Sequence, residues 1–192
     1  MSGACKLYLV TGNRHKLEEA NDILKSYGVR LEQAPVREKL EIQTNSLEEI
    51  AIYAARHAYK LMRVPLVVDD SGLFVDALNG FPGPYSSYVY KKIGYWGLLR
   101  LLEGMGNRRA CFKTVATLIL PPIEKIFTGE ACGVITWEAR GSHGFGFDPI
   151  FIPDGYEKTY AEMSPEEKNR VSHRFKAFSK LGEWIARYQV KC

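Results

Sequence analysis

Long hydrophobic runs are missing from this sequence. No stretch approaches the roughly 18 apolar residues of a membrane-spanning helix, which excludes a helical membrane protein. The first residues show no basic segment followed by an apolar core, so a cytoplasmic location is expected. Repeats, low-complexity segments and linkers are also lacking. The expectation is a single domain over residues 1–192, built as two lobes. Cysteine is scarce: Cys5, Cys111, Cys132 and Cys192. None belongs to a C-x-x-C pair, so a zinc site is not expected. Cys5 and Cys132 stand in apolar, strand-like surroundings. They read as buried thiols, and nothing in the spacing demands a disulfide.

Charge of one sign is also not in large excess. Lys and Arg number 26 against 22 Asp and Glu, a net charge of +4. The excess is spread along the chain, so no nucleic-acid surface is singled out and no stable nucleic-acid complex is expected. Small phosphate anions fit this balance equally well.

Residues 6–10 alternate and run into Thr-Gly-Asn, which predicts a first strand ending in a tight loop. Residues 16–27 carry Leu17, Ala20, Leu24 and Tyr27 at helical spacing, with Gly28 as the stop. Residues 29–33 read as a second strand. Ser46 with Glu49 forms a capping box for a helix reaching about Met62. Its inner face is Leu47, Ile50, Ala51, Ala54, Ala58 and Leu61. Residues 65–68 are a buried-type strand ending at Asp69-Asp70-Ser71-Gly72. Residues 87–103 are helical but broken near Gly94 and Gly97. Residues 109–120 and 125–136 pair as a hairpin around Pro121-Pro122, and residues 172–188 form the last helix with Ser172 as its cap. The order predicts an α/β fold with a mixed sheet.

Four constellations carry potential chemistry. Thr11-Gly12-Asn13-Arg14-His15-Lys16 joins a strand to a helix. There, unpaired backbone N–H groups and a positive helix end attract phosphate. It is not the G-x-x-x-x-G-K-[ST] loop, and a plain turn ahead of a capped helix reads equally well. Asp69-Asp70-Ser71-Gly72 places two acids side by side. Their repulsion is relieved by a cation, and magnesium takes one or two carboxylates plus water and phosphate. In a strand the two would face opposite sides, one into the cleft and one structural; a plain Asp-Ser-Gly turn is the alternative. Glu41 is a candidate third carboxylate. Gly144-Phe145-Gly146-Phe147-Asp148-Pro149 resembles G-x-G-x-x-G, but Pro149 replaces the last glycine and rules out a dinucleotide fingerprint. Phe145 and Phe147 would stack on a planar base and Asp148 would accept from a ring N–H; two buried aromatics anchoring a loop is the alternative. Finally, Lys168-Asn169-Arg170-Val171-Ser172-His173-Arg174 sets His173 and Arg174 in the first turn of a helix. A cation is unfavourable there, which implies an acceptor-rich partner nearby.

These pieces, in this order, resemble the inosine triphosphate pyrophosphatase family, also described as dITP/XTP pyrophosphatases. The resemblance covers essentially the whole chain, through TGNRHK, LEIQ, VVDDSGLFVDALNGFPGPYS, RACFKTVATL and GFGFDPIFIPDGYEKTYAEMSPEEKNRVSHR. It implies hydrolysis of ITP, dITP and XTP to the monophosphate and pyrophosphate, with Mg2+. It also implies an elongated mixed sheet flanked by helices, two lobes around a central substrate groove, and a homodimer. By the resemblance, Thr11, Gly12, Asn13 and Lys16 bind the triphosphate, with Arg14 and His15 in the same loop. Glu41 and Asp70 hold the metal, and Asp70 is the general base. Ser71, Phe145, Gly146, Phe147, Asp148, Lys168, His173 and Arg174 contact substrate. Two departures stand out: Phe147, where relatives often carry Trp or Tyr, and Leu40, where many carry Pro. The tyrosines of residues 85–95 read as core ahead of interface.

Overall fold

The computed structural model describes residues 5–35 and 40–189; Cys192, named above, lies outside them. Strand β1 (Cys5–Val10) leads into helix α1 (Arg14–Leu24), which starts two residues earlier than the apolar spacing predicts. The reason is a cap: Asn13 is extended, and its Oδ1 accepts from the His15 N–H at 3.0 Å. The helix tightens into a 3-10 turn and ends at Gly28 in the left-handed region, φ 69°. Strand β2 (Val29–Gln33) follows. Helix α2 (Leu47–Met62) is capped by Ser46, whose Oγ accepts from the Glu49 N–H at 3.2 Å. The reciprocal half of the capping box is replaced: the Glu49 carboxylate accepts from the Thr44 hydroxyl at 2.7 Å. Leu61 is exposed rather than inward, while Ala55 joins the buried face.

Strand β3 (Leu66–Val75) is longer than predicted, so Asp69-Asp70-Ser71-Gly72 lies inside a strand rather than in a turn. Pairing overrides the local turn signal. The strand runs parallel to β1 from Tyr8↔Leu66 to Val10↔Val68. It then pairs antiparallel with β4 (Pro82–Gly83) at Leu73↔Gly83. A Cβ on Gly72 would stand 2.3 Å from the Gly83 carbonyl oxygen, so the close approach requires glycine.

Helix α3 (Ser86–Leu101) is interrupted at Gly94, as expected. Strands β5 (Arg109–Leu120) and β6 (Ile123–Ile135) are sheet neighbours joined by two residues, which admits only an antiparallel hairpin. Strand β7 (Phe151–Pro153) is antiparallel to β6. The predicted last helix has a separate forerunner: α4 (Pro165–Val171), with a complete Ser164/Glu167 capping box, precedes α5 (His173–Arg187). Ser172 is extended between them, at the position of a cap. The buried-thiol expectation fails. Cys111 and Cys132 form a disulfide across β5 and β6, and Cys5 is also disulfide-bonded. Cross-strand proximity is set by hairpin register, which cysteine spacing along the chain does not show.

The sheet has seven strands, β2-β1-β3-β5-β6-β7 with β4 on β3, and is mixed as expected; five helices accompany it among the described residues. The chain divides into two compact units. The first is Met1–Asp70, Thr114–Gly129 and Arg174–Cys192. In it Leu7, Leu9 and Val67 pack on α1 and α5, while Val10, Leu66 and Val68 pack on α2. The second is Ser71–Lys113 and Glu130–His173, with Leu73, Leu98, Phe112, Phe151 and Tyr160 at its centre. Within the first unit, β1 has β2 on one side and β3 on the other. In an open parallel sheet this reversal of strand order opens a crevice where the parallel pairing ends, and residues 11–16 follow β1 there while Asp69 follows Val68, the last β3 residue paired with β1.

Close packing of β7 on β6 makes a direct prediction. A Cβ on Gly133 would lie 2.0 Å from the Ile152 carbonyl oxygen. Gly133→Ala should therefore destabilise the fold by about 1–3 kcal/mol in denaturant unfolding, the usual scale of overpacking. Gly106→Ala, with open space around it, should be neutral or slightly stabilising. Equal effects of the two would contradict the close approach.

Candidate active site

The first unit holds a buried ion cluster at the β1/β3 crevice. Asp69, 2% exposed, follows Val67 on the side of the sheet covered by α1 and α5. Its Oδ1 accepts from the Lys16 ammonium, and its Oδ2 accepts from Arg174 Nε at 3.0 Å. Arg174 is itself 1% exposed and donates its second bond to Glu19 at 2.5 Å. Burial alone would raise the pKa of Asp69, but Lys16 and Arg174 outweigh it and hold the carboxyl well below the ordinary carboxylate range. Burial likewise works against the Arg174 charge, and Asp69 with Glu19 overcomes it.

This arrangement assigns roles that the residue pattern left open. Of the adjacent acids, Asp69 is the structural one. Asp70, 6% exposed, continues the row Leu66 and Val68 on the α2 side. The acceptor-rich partner expected beside Arg174 is internal, namely Asp69 and Glu19. Arg174 thus acts as a strut in this structure. Glu19 was not anticipated, although Lys16 and Glu19 stand three apart on α1 and so share one helix face.

The loop ahead of α1 is organised by its own side chains. The Asn13 N–H donates to Thr11 Oγ1 at 3.1 Å, and Gln33 Nε2 donates to the Thr11 carbonyl at 3.1 Å. Gly12 is exposed, as are the Arg14 and His15 side chains, and Arg14 pairs with Glu18 at 3.0 Å. Lys16, in the first turn of α1, keeps 17% of its side chain exposed, so a cation stands near the positive end of that helix. Glu41 is exposed on the irregular segment ahead of α2, the helix on whose side Asp70 lies.

The second unit holds a separate cluster around the glycine-rich loop. Asp148 is 3% exposed, and its Oδ2 accepts from the Phe145 N–H at 2.8 Å and from Lys168 Nζ at 2.7 Å. Gly144 makes this possible: its φ is 73°, and a Cβ there would stand 2.1 Å from Asp148 Oδ2. The Lys168 ammonium lies over the Phe145 ring at 5.0 Å and the Tyr160 ring at 5.6 Å. His173 stacks on Phe112 with centroids 4.7 Å apart and planes at 12°, and Tyr160 stacks on the same Phe112 at 5.8 Å.

The two phenylalanines therefore differ. Phe145 is half-buried with an ammonium on its face, whereas Phe147 is in the core, edge-on to Tyr90 at 5.5 Å. A Phe147 ring so placed has no face for a base, contrary to the expectation of stacking by both. Phe112 and Tyr160 were not anticipated as walls of this cluster. Gly146 sits between the rings at φ 64°, and Ser71 is half-buried in β3.

Comparison with known proteins was consistent along nearly the full length. The profile of the Ham1 family matches residues 7–184. A dITP/XTP pyrophosphatase of Hyperthermus butylicus is 52% identical, covering 95% of each chain. One of Saccharolobus solfataricus is 50% identical, over 97% of this chain and 96% of the relative. Among solved structures, a HAM1 protein from Coxiella burnetii superposes with a TM-score of 0.84 at 32% identity, covering 95% of this chain and 99% of its own.

The buried carboxylate predicts an acid limb of stability. Asp69 has a lowered folded pKa, so its contribution is complete above the unfolded carboxylate value, about 3.9. It is lost as pH falls from there toward the folded value. Denaturant unfolding below about pH 4 should show this decline, and Asp69→Asn should flatten it. Asp69→Ala at neutral pH should lose about 3–5 kcal/mol, because the buried Arg174 and the half-buried Lys16 lose their shared partner. An unchanged acid limb in Asp69→Asn would refute the assignment.

Proposed function

Because the chain belongs to the Ham1 family, we propose that it hydrolyses deaminated purine nucleoside triphosphates, ITP, dITP and XTP, to the monophosphate and pyrophosphate. The observation that carries this reading is the Lys16–Asp69–Arg174–Glu19 cluster beside the N-terminus of α1, a fixed cation in a phosphate-attracting crevice.

In the reaction, a water oxygen bonds to the α-phosphorus and the bond to the bridging oxygen of the β-phosphate breaks. Asp70 orients the water and takes its proton. Lys16 and the positive N-terminal end of α1 meet the developing charge on the phosphates. Asp70, on the α2 side of the sheet, and Glu41, on the segment ahead of α2, would hold Mg2+, since both offer the hard carboxylate oxygens that this ion takes alongside water and phosphate. When bound, Mg2+ neutralises phosphate charge. Asp69, already committed to two cations, is left out of this ligand set.

Base selection belongs to the second unit. Phe145 offers a ring face and Lys168 an ammonium donor. The 6-oxo group of hypoxanthine or xanthine accepts such a bond, whereas the 6-amino group of adenine is itself a donor. A mismatch of this kind rejects an analogue by orders of magnitude. Asp148 orders the loop and holds Lys168 in place.

We also propose a homodimer through the α3 face. The tyrosines expected in the core are in part outside it: Tyr88 is 64% and Trp96 62% exposed, with Tyr85, Tyr90 and Ile93 exposed beside them.

The deciding experiment is a panel of ITP, XTP, dITP, ATP, GTP and modified pyrimidine triphosphates with Mg2+, reading pyrophosphate. Rapid release from the deaminated purines alone is expected; preference for a modified pyrimidine would overturn the reading. Asp70→Asn should lower kcat roughly 10²–10⁴-fold with an unchanged fold. Lys168→Met should erode the ITP-over-ATP ratio while sparing the kcat for a substrate already bound. A ratio equal to that of the native chain would remove Lys168 from base reading.

A further inference from the structure

Away from these clusters, β5 and β6 carry another set of metal-ligating side chains. The Sγ atoms of Cys111 and Cys132 and a carboxylate oxygen of Glu130 lie within 4.8 Å of one another. The two cysteines stand opposite each other, Cα atoms 4.0 Å apart. The next cross-strand pair on that face is Lys113 and Glu130, joined at 3.2 Å. Strand alternation puts all four side chains on the side turned away from Phe112 and Ala131, which belong to the core. Cys111 and Cys132 are half-buried and Glu130 is exposed, so an ion has access.

We propose that the reduced form of this cysteine pair, together with Glu130, is a binding site for one thiophilic divalent cation such as Zn2+. Two thiolates and a carboxylate supply three tetrahedral ligands and leave the fourth position to water. At a Zn–S distance of about 2.3 Å, the sulfurs of a tetrahedral site stand roughly 3.8 Å apart. Opposed cross-strand side chains reach that separation by rotation, without movement of the strands. Arg109 and Lys113 flank Cys111 on the same face and favour its thiolate. Arg109 is held by Asp154 at 2.6 and 2.9 Å. The carboxylate of Glu130 has two oxygens, so the ion and Lys113 can share it. The three negative ligands are balanced by the divalent ion and the Lys113 ammonium.

The two states exclude each other. Two electrons and two protons from a dithiol convert the disulfide to two thiols, and the dithiol leaves as its own disulfide. Binding of the cation then releases the two thiol protons to solvent. The rule that a zinc site needs a C-x-x-C pair fails here because the two sulfurs meet across a hairpin, not within one loop.

Cobalt(II) is the probe. The full chain carrying Cys5→Ser, which removes the other disulfide-bonded cysteine among the described residues, is reduced with a phosphine and freed of reductant without oxygen. It should bind one Co2+, with thiolate-to-cobalt charge-transfer absorption and protection of two thiols from alkylation. The oxidised chain should show neither. Adding Cys132→Ser or Cys111→Ser should abolish the absorption; both are compared with a reduced parent that has already lost the disulfide, so folding is matched by circular dichroism. Glu130→Gln should weaken binding roughly ten-fold or more, since even losses in the shell beyond the ligands act on that scale. Absence of the absorption in the reduced Cys5→Ser chain, or its survival in Cys132→Ser, would overturn the proposal.

Discussion

A carboxylate fully removed from water, held charged by two cations, is the constraint around which the first unit is arranged. Asp69 is tolerable in the sheet interior only because Lys16 on α1 and Arg174 on α5 both reach it. Each of those cations is in turn acceptable only with an anion beside it, and Glu19 completes the set. The chain of charges ties α1 and α5 to β3, three elements brought together from distant parts of the sequence. Replacing such a set by apolar residues often leaves stability unchanged, so stability alone does not explain it. What it secures is position: Lys16 is fixed near the N-terminus of α1, and Asp70, the repulsive neighbour of Asp69 along the strand, is sent to the other side of the sheet.

The second unit repeats the device with different parts. Asp148 is buried and engaged by Phe145 and Lys168, and the ammonium it holds lies over the half-buried Phe145 ring. Gly144 lacks the Cβ that would collide with that carboxylate. In both units a buried acid works as an organiser that fixes a cation.

Local signals were legible wherever a few neighbouring residues decide the outcome. The strand at residues 6–10, the Ser46 cap, the Gly28 stop and the break at Gly94 all follow from short-range geometry. The pattern failed where distant pairing decides. Asp-Ser-Gly reads as a turn, but β4 recruits it into β3. Cys111 and Cys132 are 21 residues apart and meet only through hairpin register. Phe147 looks like Phe145 in sequence, yet Tyr90 and the core claim it. Family resemblance names the candidate site residues as a set. Their division of labour was not legible, because it depends on which charges become buried.

That division bears on how the proposed reaction turns over. Lys16 is held by Asp69 before any phosphate arrives, so little side-chain entropy is lost on binding. A phosphate must nevertheless compete with an existing ion pair, and its net gain is the difference between the two interactions. That difference grows with the charge of the ligand. A triphosphate therefore gains more from Lys16 than a monophosphate does. The same pairing that prepares the cation for substrate weakens its hold on the nucleoside monophosphate, and the buried partner Asp69 becomes a contributor to product release without touching the product.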